Sequence, residues 1–399
     1  MISSLLWIPR GQLNDKPQPY MPTEEELGKE VREYQDQFEE EYENEGDFMD
    51  AMMEEQMAEL DVADMIHTEE VDVDDVIKKT DHIICVGKVG EVSSMEYQIF
   101  DTDERSLYIH RDIMLPAIPL CSAFANPFLL VGSFEPVIEL WNANFYDKLT
   151  PDVELKGHTD AVLSLSVNKI ANNVLLSGSA DNTVKLWDIS KTKVVDTFSH
   201  HTDKVQTLKW HEKEATVLAT GGFDGNVFVG DSRSKNNFVK IEIGGEIERV
   251  DWGFEDHELL ISNNSGEVLC YDIRSMERLY TIGLSNGCTF TKSVANLLVI
   301  ASPQEHSSSI TVWKLGEKPE RLYMKAVDGN VLDIQSCPEN PELIAIGGNN
   351  SQLWDLSCIK KLRKLIPELD AVDRKDEGIF SPYDFDDAND TDDGMDAPQ

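Results

Sequence analysis

The stretch GHTDAVLSLSVNKIANNVLLSGSADNTVKLWDIS, residues 157–190, decides the fold. It reads as short apolar strands separated by turns, one at Asn172-Asn173 and one around Asp181. Its polar residues form a set. Asp181, in a tight turn, is placed to accept hydrogen bonds from backbone amides and from His158. His158 is placed to bridge to Ser177, and Ser177 to meet the indole N–H of Trp187. Every polar group buried between the strands then has a partner, which is what makes its burial tolerable. Outward from Trp187, counterparts stand at Phe100, Trp141, Gly230, Tyr271, Trp313 and Trp354. In chain order these slots are separated by 41, 46, 43, 41, 42 and 41 residues. A small β-unit repeating at that period cannot bury its apolar face alone, whereas units stacked radially bury one another. The sequence therefore predicts an all-β chain, a seven-bladed β-propeller.

Residues 157–190 are a nearly complete WD repeat, with His158, Ser177, Asp181 and Trp187 as its structural tetrad. The next unit keeps His201, Thr220 and Asp224 as a partial tetrad but has Gly230 in the tryptophan slot, so packing should hold it more than a polar relay does. Later units drift further: Ser265 replaces the turn aspartate near Tyr271, and residues 303–309 are expected to expand the turn before Trp313. Serine, histidine and aspartate together also raise the possibility of a hydrolase triad. The repeat assigns these three to holding strands together, so no catalytic residue is expected and the chain is read as no enzyme.

The net charge of −40 is uneven. Residues 24–75 hold 23 acidic and 2 basic residues, and residues 366–399 hold 12 and 2. A body this negative repels nucleic acid at long range, so its expected partners are basic proteins, with RNA met only through a local patch. The only dense basic cluster, Lys360, Lys361, Arg363 and Lys364, lies in a stretch that reads as a last strand or a short helix, and is a solvated strand or a weak nuclear-entry or RNA contact. The six cysteines show no CxxC pair and no metal-ligand spacing, and read as reduced, mostly buried thiols. No cofactor, metal or phosphate-loop pattern emerges: TGGFDG and GGNNS lack the lysine and the helix context. The apolar run at residues 5–8 is too short for a signal peptide, and no stretch approaches a membrane span.

Residues 1–11 look like the innermost strand of a blade whose remainder resumes only near residue 81. The expected division is an inner strand at 1–11, an acidic and partly helical insertion at 12–80, the propeller at 81–365, and an acidic disordered tail at 366–399. Within the insertion, Thr23 and Glu26 form a capping box. Leu27, Val31, Tyr34, Phe38 and Tyr42 then recur on one helical face, a candidate partner-binding helix. Met49, Met53, Met57 and Leu60 suggest a second helix with a deformable face.

Beyond the general WD pattern, the chain resembles the periodic tryptophan protein 1 family. The resemblance runs through DHIICVG (81–87), HRDIMLPAIPL (110–120), PVIELW (136–141), GHTDAVLSLS (157–166), SADNTVKLWD (179–188), HTDKVQTLKWH (201–211) and GEIERVDW (245–252). The segments outside the WD consensus, GEIERVDW and HRDIMLPAIPL, are the most specific. What the resemblance implies is a nucleolar, nuclear assembly factor, monomeric within a large complex. It would act without catalysis in large-subunit ribosome biogenesis and pre-rRNA processing, among the basic ribosomal and assembly proteins of precursor particles. The scarcity of basic patches puts extended rRNA contact in doubt, leaving a local pre-rRNA contact. Two competing readings are a histone-binding chromatin propeller and a ubiquitin-ligase substrate receptor. The second rests on the Asp-x-Arg endings at Asp231–Arg233 and Asp272–Arg274.

Overall fold

The computed structural model describes residues 1–20, 76–90, 92–146, 148–234, 237–284, 287–316, 318–366, 369 and 378–382. The acidic stretch with its candidate helix (Leu27, Val31, Tyr34, Phe38, Tyr42) lies outside them, as does the methionine-rich one.

Seven four-stranded antiparallel sheets make the blades of a β-propeller. Blade three shows the unit, with strands Val162–Val167, Val174–Ser179, Val184–Asp188 and Lys193–Phe198 from axis to rim. The inner strands touch around the axis, and Asp333–Ser336 of blade seven meets Ile2–Ile8 of blade one. Blades one to five share one irregularity, a bulge after the first residue of the inner strand, such as Val162/Ser164 and Val205/Thr207. A bulge sharpens local twist. Its recurrence shows one geometry persisting while the sequence drifts.

The core is divided like the blades. Among the described residues seven hydrophobic clusters fill the seven gaps between neighbours. Side chains alternate along each strand, so one strand serves two gaps. Leu259 and Ile261 point to blade four, while Leu260 points to blade six.

Blade one is built from two distant pieces. Ile2–Ile8 pairs with His82–Lys88, which continues to Ser93–Asp101 and Ser106–Leu115. The same strand closes the ring. Leu5 N donates to Asp333 Oδ2 at 3.1 Å, Gln335 Nε2 donates to Leu5 O at 2.6 Å, and Trp7 Nε1 donates to Gln335 O at 3.2 Å. A side chain at Gly347 would sit 2.7 Å from Ile2, so glycine lets the strand lie this close. Between the two pieces, the described ends of the insertion are tied down. Gln18–Pro19 pairs in parallel with Phe145–Tyr146, Ile77 N donates to Asp15 O at 3.0 Å, and Leu13 and Ile77 enter the core between blades one and two.

Two details differ from the sequence reading, and a third settles an alternative it left open. The propeller does not end at 365, because Ile379–Phe380 pairs with Leu353 and Trp354 as the rim strand of blade seven. Ile366 and Leu369 are also buried there, since without this return the outer side of Trp354 would face water. Residues 303–309 lengthen the strands instead of loosening the turn: Ser302 pairs with Ser309 and Pro303 with Ser308. Of the two forms open to the basic stretch, strand or short helix, it takes the helix, Lys360–Leu365, with Leu362 buried and Lys360, Lys361 and Lys364 exposed.

Candidate functional site

Blade three contains the complete polar relay. Trp187 Nε1 donates to Ser177 Oγ at 2.7 Å, Ser177 Oγ lies 2.7 Å from His158 Nε2, and His158 Nδ1 lies 2.8 Å from Asp181 Oδ2. A carboxylate only accepts, so Nδ1 carries the proton and Nε2 accepts from the serine hydroxyl. Asp181 also accepts from Thr159 N at 3.1 Å and Thr183 N at 3.0 Å, pinning the turn it occupies to the segment entering the blade. Burial pushes the Asp181 carboxyl up, but the donors on it outweigh burial and hold it far below the usual carboxylate range. Ser177 is fully buried beneath Trp187, with no opening for a substrate. The arrangement binds strand to strand.

In blade four His201 Nε2 lies 2.9 Å from Thr220 Oγ1, and His201 Nδ1 lies 3.1 Å from Asp224 Oδ1. Burial lowers the His201 pKa, with Asp224 opposing. The relay stops at Thr220. At Gly230 a Cβ would fall 2.6 Å from the ring of Phe238, which occupies the space and packs against Phe198 at 5.2 Å between centroids.

The remaining slots use different partners. Trp141, Trp313 and Trp354 donate their indole N–H to Glu139 at 3.1 Å, Thr311 at 3.0 Å and Gln352 at 3.2 Å. Each acceptor stands two residues earlier on the same strand, hence on the same face. Phe100 has no N–H to satisfy and packs on Phe380 at 5.0 Å. Tyr271 and Trp313 are only half-buried, whereas Phe100, Trp141, Trp187 and Trp354 are buried. In blade five, where Ser265 stands in the aspartate position, two asparagines divide the work. Asn264 Oδ1 accepts from Glu246 N at 3.2 Å and Asn263 Oδ1 accepts from Glu267 N at 3.0 Å. Sequence reading passed over these partners. The available signal was a polar residue two before the slot, and an Asn-Asn pair ahead of the turn.

Other chemistry is sparse. The axial channel, about 360 Å³, is crossed by an Arg249–Asp333 pair at 2.6 Å. Nearby, burial lowers the Lys209 pKa despite Asp251. Asp251 is itself held low because Lys209, Lys292 and Arg249 outweigh its own burial. All six cysteines are free, and burial pushes Cys270 and Cys288 up to about 12. Among the described residues no group of three or more His, Cys, Asp or Glu side chains is gathered to hold a metal, and no helix is long and apolar enough to cross a membrane. Arg233 and Arg274 each turn back onto their own aspartate, Asp231 and Asp272, on exposed turns.

Radial four-stranded blades with a buried Trp–Ser–His–Asp relay define a WD-repeat β-propeller. The WD domain, G-beta repeat family matches residues 149–188 and 192–231, the region of blades three and four. The chain is similar to a chain in the solved crystal structure of the mitotic checkpoint complex, with a TM-score of 0.57 over 67% of this chain and 81% of that one. At 17% identity that likeness concerns the fold alone. The periodic tryptophan protein 1 homolog of Drosophila melanogaster is 30% identical over 357 residues, 80% of this chain and 76% of the fly protein. Periodic tryptophan protein 1 of Saccharomyces cerevisiae is 30% identical over 323 residues, 65% of this chain but only 55% of the yeast protein. The chain belongs to the periodic tryptophan protein 1 family, as one of its WD-repeat scaffolds.

Proposed function

We propose that this protein is a non-catalytic assembly factor of the large ribosomal subunit, a nuclear and nucleolar scaffold that engages basic proteins inside precursor particles. The observation carrying this reading is membership of the periodic tryptophan protein 1 family, combined with a net charge of −40 on the chain and a ring whose polar relays are internal. A rigid ring offers binding surface without a reactive group. Its charge favours cationic ribosomal and assembly proteins and confines pre-rRNA contact to small areas, such as the Lys360–Leu365 helix.

Sedimentation of a cell extract tests this, because a free 45.0 kDa chain and a particle component migrate far apart. The expected outcome is co-migration with large-subunit precursors and recovery of precursor rRNA with the immunopurified protein. Recovery of core histones alone, or of a cullin adaptor alone, rejects it.

A further inference from the structure

The two faces of the ring differ. Strands within a blade alternate in direction, so every connection entering an inner strand and every turn between second and third strands lie on one face. The opposite face mixes both signs: Lys78 pairs with Asp101 at 2.6 Å, Lys191 with Asp188 at 2.6 Å and Lys213 with Asp256 at 2.6 Å, and Lys360, Lys361 and Lys364 stand exposed on the Lys360–Leu365 helix. The entry face is acidic instead. From blade three to blade seven its connections expose Asp160, Asp203, Glu246 and Glu305, and among the described residues the one lysine in those connections is Lys204.

Over blades one and two this acidic face carries large apolar side chains in water. Val92 and Phe134, in the second-to-third-strand turns of the two blades, are each 60% exposed. Met114, next to last in the rim strand of blade one, is also 60% exposed, and Ile118 lies in the connection between the blades. The four adjoin through the backbone: Met114 pairs with Ser94 two residues past Val92, and Phe134 N donates to Ile118 O at 3.3 Å. Glu135 follows Phe134 directly and is exposed. Glu139 is pushed up mainly by burial and further by its neighbours Glu154 and Glu135, so negative charge crowds this edge. The nearby lysines are already occupied, Lys88 by Glu96 at 2.7 Å and Lys156 by Glu154 at 2.5 Å.

We infer that the entry face over blades one and two is the docking surface for a basic protein segment that carries large apolar side chains, seating them on Val92, Met114, Ile118 and Phe134 while its lysines and arginines meet the surrounding carboxylates. The inference deepens the scaffold reading and rests on it. Charge complementarity selects the occupant, since an acidic surround repels nucleic acid and an acidic segment alike, and exposed apolar clusters mark contact sites.

The test uses the full chain with Val92→Ser, Met114→Ser and Phe134→Ser combined, against a control bearing Leu149→Ser and Ile170→Ser on the opposite face. The probe is a synthetic peptide alternating lysine with leucine, compared with a polylysine of equal charge. The expected result is a loss of about tenfold in affinity for the lysine–leucine peptide in the triple variant, and no loss in the control or toward polylysine. Unchanged binding by the triple variant overturns the inference, as does a switch from dimer to monomer, which would make the patch a self-contact. All three residues are exposed, so an unchanged melting temperature is expected and keeps the comparison clean. In extract, a triple variant that stays with precursors as well as wild type sinks the docking surface and leaves the scaffold reading standing. A wild-type chain absent from precursors sinks the scaffold reading itself.

Discussion

Blade three and blade one reach the same four-stranded form by different means. Blade three is drawn from one continuous stretch and tied internally by Trp187, Ser177, His158 and Asp181. Blade one is assembled from residues 2–8 and 82–115 and has Phe100 in the slot. Its inner strand is held by blade seven, through Asp333, Gln335 and the shared cluster of Ile2, Leu5, Trp7 and Leu343. A blade with local contacts can carry its own polar relay. A blade closed across the whole chain relies on apolar packing and on backbone bonds to its neighbour.

The sharpest way to break this contrast is to remove residues 1–10. Ile2, Leu5, Trp7 and Ile8 are all buried, and each buried side chain of this size is worth about 1.5–3 kcal/mol. The summed loss approaches the whole stability of a typical domain. Loss of cooperative thermal unfolding is expected, and an unchanged melting curve would show that the ring closes without this strand. Ser177→Ala probes blade three on a smaller scale. It leaves the Trp187 N–H and the His158 acceptor without partners, so about 1–3 kcal/mol should be lost in denaturant titration. No loss would mean that packing alone holds the blade.

The remaining effect is confined to acid. His82, beside Trp7 and in contact with Arg10, is lowered to about 4 by burial and then by the Arg10 charge. In the unfolded chain it titrates near 6.5. Its contribution is therefore fully present above about pH 6.5 and is lost as pH falls toward about 4, because the unfolded state takes up a proton first. His82→Gln should flatten the decline between those values, and parallel curves for wild type and variant would assign the acid sensitivity elsewhere.

The ring was legible because its tryptophan-class slots recur wherever the backbone geometry recurs, and the shared inner-strand bulge shows why the interval persists. The relay in blades three and four was legible because all its members are side chains of the repeat pattern. The local substitutes were not. Gln352 and Glu139 satisfy an indole from the same strand, and nothing about a lone polar residue announces that task. Asn263 and Asn264 share between them what one aspartate does elsewhere, so matching position by position finds only Ser265. The rim strand Ile379–Phe380 escaped notice because two apolar residues within an acidic run carry no periodicity, and only Leu353 and Trp354 across the sheet give them a place. The candidate helix from Leu27 to Tyr42 lies outside the described residues, so its role rests on sequence alone.

The closing contact between Leu5 and Gln335 joins residues 330 positions apart. During synthesis at about 5–20 residues per second, the first strand must wait some tens of seconds before blade seven is made. Residues 82–88 can pair with it early, but for the rest of that interval the apolar side meant for blade seven stays uncovered, open to wrong contacts with other chains. Folding of this protein thus sets the closing of the ring against misassembly of a strand that waits for its last neighbour.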